Sequence, residues 1–137
     1  MFKISVAELK SRYALGERNF ESAELQGANL SYLTLVDINL SYANLKGADL
    51  SYCDLRRSYL KRTQLVNAKL IRANLDGAFM ERADFNKADL SKATLNQAQM
   101  YRATLAMTKM NGAYLNQTNL KGAYLKGSYL NGAYLNG

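Results

Sequence analysis

From Phe20 onward the chain counts in fives. Every fifth residue to Leu135 is Leu, Phe or Met over 24 consecutive steps: nineteen leucines with Phe20, Met80, Phe85, Met100 and Met110. A helix turns in about 3.6 residues and a strand alternates in two, so a period of five is neither alone. Two places before each large residue, fifteen of the 24 positions are Ala, and most others are small, such as Cys53, Ser58 and Thr63. The residue between is mostly polar or Tyr, as at Asn29, Asp49, Asp89 and Tyr129. Small-in, polar-out, large-in is a three-residue strand. The remaining two residues must form a corner. Eight of the nine glycines stand at its second position, from Gly27 to Gly137, where a type II turn requires positive φ.

A side plus a corner, repeated, winds the chain into a coil with Leu and Ala inside. One coil cannot bury its own core, so coils must stack, pairing as parallel strands about 4.8 Å apart. The spacing alone leaves the number of sides and the hand of the coil open. Leu33 and Ile38 put bulk where small residues belong, which predicts a locally widened coil. Arg18 falls on an inward position. An unpaired buried Arg is costly, so regular coiling is expected to begin after it.

The stretches "ANLKGADLSYCDL" (43–55) and "ANLDGAFMERADFNKADL" (73–90) repeat A-(D/N)-L-x-x. In this the chain resembles the pentapeptide-repeat family across residues 18–137. The resemblance implies an all-β fold: a right-handed quadrilateral parallel β-helix with four units per coil, about six coils, on the order of 29 Å long. The opening "RYALGERNFESAEL" (12–25) is similar to cyanobacterial members. The family also implies a non-enzymatic scaffold for protein–protein interaction, such as a regulator of cell differentiation.

Residues 1–17 are expected to form a lead-in and cap, and 18–137 the β-helix. "SVAELKSRYAL" (5–15) reads as one short α-helix. Ser5 and Glu8 make a capping-box pattern and Gly16 a stop. Val6, Leu9 and Tyr13 share a face that would cover the first coil. At the other end, residues 118–137 would present Leu120, Leu125, Leu130 and Leu135 with nothing stacked on them. Tyr114, Tyr124, Tyr129 and Tyr134, with Leu130 and Leu135, are therefore the candidate surface for a homodimer.

Chemistry is poorly served. The chain has no His, Pro or Trp, and a lone Cys53 in an inward slot. No catalytic residue, metal site, cofactor or small-molecule substrate is expected. Asp49, Lys69, Asp89 and Lys109 would stack as an alternating charge ladder, structural in role. Charge is uneven: residues 1–55 hold five Lys/Arg against seven Asp/Glu, and 56–137 hold thirteen against four. Stacking every twenty residues would put Arg62, Arg82 and Arg102 in one corner row above Tyr42, and Arg72 and Lys92 in another above Tyr32 and Tyr52. These five cations are the candidate partner surface. An unknown protein is the expected partner, with an anionic one, nucleic acid or a membrane surface, as the alternative. A gyrase-protecting DNA mimic, known among quinolone-resistance members of the family, fits a net charge of +7 poorly. Without a signal-peptide core or apolar span, a cytoplasmic location is expected.

Overall fold

Outward-facing residues pair with residues twenty positions on. Parallel bridges run from Asn19↔Asn39 through Asp49↔Lys69 to Tyr114↔Tyr134, so one turn of the chain takes four five-residue units. The computed structural model describes residues 1–137. The large and small inward residues fill a single core along the whole length, and nearly all from Leu30 to Leu115 are buried.

The bridges follow from where the backbone N–H groups go. The N–H of Leu25 donates to Asn44 O in the next coil at 2.8 Å, and that of Gly27 to Lys46 O at 2.9 Å. Asn44 N–H donates back to Ala23 O at 2.9 Å, and Ala28 N–H closes the corner onto Leu25 O at 3.0 Å. Four of five N–H groups in a unit are thus satisfied by backbone, and the first corner residue is left over. An Asx side chain serves it. Asn29 accepts from Ser31 N–H at 3.0 Å and Asp49 from Ser51 N–H at 2.9 Å. This is the physical cause of Asp and Asn at the outward position.

Where the outward residue is not Asx, a corner Asx of the preceding coil can take over. Asp76 accepts from Asn96 N–H at 2.8 Å, and Asn86 from Ala106 N–H at 3.0 Å. Asn96, Asn111 and Asn116 do the same for Asn116, Asn131 and Asn136, at 3.1, 3.1 and 3.2 Å. The outward residues of these five units are Thr94, Thr104, Tyr114, Tyr129 and Tyr134, so the two devices never compete for one N–H.

Every second corner residue has positive φ. Sixteen of them are not glycine, including Tyr32 (φ 63°), Arg62 (53°) and Arg102 (55°). Non-glycine residues rarely sit there; here the bonds to the coil ahead and the closed turn hold them in place. Ile38 is fully buried and Leu33 half-buried against the core. Their turn bonds, 3.2 and 3.3 Å, stand beside 3.2 Å at Ala23, Thr63 and Thr108, so the corner bonds do not single these two units out.

The N-terminus covers the first coil in two ways. Strand β1 (Phe2–Lys3) pairs in parallel with β2 (Ala23–Glu24), a strand the five-residue period does not reveal. Helix α1 (Val6–Ala14) follows, with Ser5 as N-cap accepting from Glu8 N–H at 3.1 Å. Glu8 does not complete the capping box: its carboxylate lies 3.6 Å from Arg12 instead. Gly16 (φ 98°) ends the helix, with Gly16 N–H on Tyr13 O and Glu17 N–H on Arg12 O, the Schellman pattern. Leu9 is fully buried, Val6 and Tyr13 pack on the core, and the Tyr13 hydroxyl donates to Val36 O at 2.9 Å. Arg18 stays exposed, its guanidinium 3.8 Å from the Tyr13 ring centre. The ladder begins one residue later, at Asn19.

One expectation is corrected. Asp49, Lys69, Asp89 and Lys109 do stack in register, but no ion pair forms among them. The carboxylates of Asp49 and Asp89 turn to the Ser51 and Ser91 N–H groups, at 2.9 and 3.0 Å. A nearby backbone donor outcompetes a lysine that would have to be held on an exposed surface.

Candidate interaction surface

The five candidate cations lie on two separate corner rows. Arg62, Arg82 and Arg102 follow Tyr42, each twenty residues apart. Their N–H groups donate to Glu81, Tyr101 and Lys121 O, all at 2.9 Å. The backbone under each guanidinium is therefore fixed. Arg102 lies 5.2 Å from the Tyr101 ring centre, and the row ends at Gly122, where a Cβ would come within 3.1 Å of Arg102 Cγ. The second row begins with Tyr32 and Tyr52, stacked at 4.8 Å and 5°. It continues through Arg72 and Lys92 to Gly112 and Gly132. Ten residues separate the rows, half of the twenty-residue turn, so they occupy opposite sides of the coil rather than one patch.

Neither row is neutralised. The ion pairs are Arg12 with Glu8 and Glu17, Arg56 with Asp54, and Arg57 with Asp37. The Arg57 hydrogen bond holds the Asp37 carboxyl below its usual range, and the Arg56 hydrogen bond does so for Asp54. All five candidate cations are exposed and lie outside these pairs.

The candidate tyrosines do not gather. Tyr114 and Tyr134 stack at 4.6 Å and 5°, but Tyr124 stands opposite Thr104 and Tyr129 opposite Lys109. Leu120, Leu125 and Leu130 are half-buried, and Leu135 is 53% exposed. The structure brings together residues that the sequence assigned to different surfaces. Arg72 and Lys92, with Tyr114 and Tyr134, line one recess of about 350 Å³ over Gly112 and Gly132. The sequence signal for this recess is the pair of glycines continuing a basic row, a weak one because corners alone explain glycine.

The lone thiol is not placed for covalent chemistry. Cys53 is buried, and burial, with the Asp54 carboxylate adding, pushes its thiol up to about 12. It stays protonated and inert at neutral pH. No three Asp, Glu or Cys side chains converge as metal ligands would. No helix is long and apolar enough to cross a membrane.

The model of the pentapeptide repeats matches eight copies, over residues 23–62, 38–77, 63–100 and 98–137. The chain belongs to the pentapeptide-repeat family. The fold is that of its right-handed β-helices, with one short N-terminal helix. A crystal structure of a pentapeptide repeat protein from the cyanobacterium Cyanothece 51142 superposes with a TM-score of 0.73 at 25% identity, covering 96% of this chain and 99% of that one. Another, from Nostoc PCC 7120, gives 0.50 at 28% identity, covering 98% and 97%. No curated protein matches the chain.

Proposed function

We propose that this pentapeptide-repeat chain is a non-enzymatic scaffold that holds an acidic partner protein on its basic corner rows, with residues 18–137 as the binding rod, 1–17 as its cap, and the cytoplasm as its location. Twenty-four units at four per turn make six coils of square section, and such a rod offers flat ladders rather than clefts. One observation carries the function. Arg62, Arg82, Arg102, Arg72 and Lys92 stand exposed in rows without a carboxylate partner. Like charges one coil apart repel, so the fold gains nothing from them. Their use lies in an outside anion.

The test is capture of a partner from native extract by the wild type and by a variant with all five cations changed to Gln. Loss of a discrete partner with unchanged thermal stability supports the function. Equal capture by both removes the cations from it. Nucleic acid as the true partner would show as nuclease-sensitive capture with a steep salt dependence.

A second reading is a homodimer through Leu130, Leu135, Tyr114, Tyr124, Tyr129 and Tyr134, favoured by the half-exposed Leu135. Light scattering on the wild type and on Leu130→Lys with Leu135→Lys tests it. A dimer reduced to monomer supports it, and a monomeric wild type at high concentration rejects it.

A further inference from the structure

A basic recess with a glycine floor is built into one corner of the later coils. Arg72 and Lys92 stand on the row that runs on into Gly112 and Gly132. Without a side chain at Gly112, the Lys92 stem lies along the floor, its Cγ 3.4 Å from where a Cβ would be; above Gly132 nothing lies within 4 Å. Tyr114 and Tyr134 make the wall. Their ring faces are stacked on each other at 4.6 Å, so the wall offers ring edge and phenol.

We propose that this recess receives the carboxylate side chains of an acidic peptide segment of the partner; the proposal rests on the scaffold function above and assigns its docking point. The lining is rich in donors. Arg72 offers a planar fork suited to a carboxylate, Lys92 a point charge, and each phenol an O–H. No Asp or Glu lines the recess. Its volume of about 350 Å³ admits side chains rather than a folded surface. Nucleic acid suits it less well: two cations in a short recess are few phosphate contacts.

The probe is a blocked oligoglutamate peptide titrated into the full chain at low salt, followed by amide NMR shifts. Shifts should concentrate at Gly112 and Gly132. Arg72→Gln with Lys92→Gln should weaken binding at least about tenfold, the usual effect of losing charge-assisted bonds. Gly132→Asn should do the same by filling the recess; Asn tolerates positive φ, and thermal unfolding checks that the fold is kept. Lys10→Gln with Lys61→Gln, exposed cations outside both basic rows, should leave affinity within about twofold. An equal loss on this double variant overturns the assignment, as does a wild type that shows no shifts. A short DNA duplex that binds as tightly, and is lost with the same recess variants, overturns the choice of an acidic peptide. Partner capture scored in parallel separates the two claims: capture that survives Gly132→Asn keeps the scaffold and discards the recess.

Discussion

Ser58 occupies an inward slot that fifteen other units fill with Ala, and its Oγ is buried without a hydrogen-bond partner. Thr63 and Thr108 meet the same problem differently: their hydroxyls donate to Leu40 and Phe85 O, at 2.9 and 2.8 Å. Ser58→Ala should therefore raise stability, by about 1 kcal/mol, because it removes an orphaned polar group and leaves little cavity. A lower chemical-denaturation midpoint would contradict this. Asp76 makes the opposite case. It serves the N–H of Asn96, whose own unit offers only Thr94. Asp76→Ala should cost about 1 kcal/mol, and Asp76→Asn much less, since only the acceptor oxygen matters. Equal losses in both variants would mean that charge, not capping, is the contribution. These corner devices were only half legible in the sequence. The Asp and Asn preference was plain, but the substitution of Asp76 for a missing Asx at position 94 needed the twenty-residue register.

At the scale of the element, the five-residue unit was legible because its inward positions are nearly uniform. Leu65, Ala68 and Leu70 are all buried, as the period predicts. Leu65→Ala should lower stability by about 2–5 kcal/mol by opening a cavity in the middle of the rod. Ala68→Leu should also destabilise, by about 1–3 kcal/mol, through overpacking. Val66→Lys, on the half-exposed first corner, should change the midpoint by less than about 0.5 kcal/mol. Urea titrations of the three variants test the register: a silent Leu65→Ala beside an unfolded Val66→Lys would break it. Helix α1 was legible from Ser5, Leu9 and Gly16. Strand β1 was not, because Phe2–Lys3 is too short for an alternating pattern and is recognised only by its partner, Ala23–Glu24. Stacking every twenty residues places Arg57 over Asp37 but does not decide whether they pair, as they do at 2.9 Å. Both residues are exposed corner side chains, and an exposed pair is decided by geometry rather than by type.

For the whole molecule, composition sets how stability follows pH. Histidine is absent, so no side chain at its ordinary value changes charge between about pH 5 and 8, and stability should be flat there. On the acid side, hydrogen bonds from Arg57, Arg56 and Arg12 hold Asp37, Asp54 and Glu17 below their ordinary values of 3.8, 3.8 and 4.5. Depressed carboxyls contribute stability that is present above those values and lost as pH falls through the lower folded ones. Protonating all eleven acids would also take the formal charge from +7 to 7 + 11 = +18, adding self-repulsion. On the alkaline side the sign reverses. The Cys53 thiol has an ordinary value of 9.0 but about 12 in the fold, so the unfolded chain releases its proton first. The stability it contributes is complete below pH 9 and is lost as pH rises from 9 towards 12. Lysines and tyrosines titrate in the same range, and Cys53→Ala isolates the thiol from them. Denaturation midpoints at pH 8 and pH 10.5 should differ less in Cys53→Ala than in the wild type, whatever the variant loses at neutral pH. Equal differences would show that the thiol ionises as freely in the fold as outside it. A thiol-alkylating reagent gives the kinetic counterpart: at pH 8 it should label Cys53 only on unfolding, because the site is buried and the reactive thiolate is scarce.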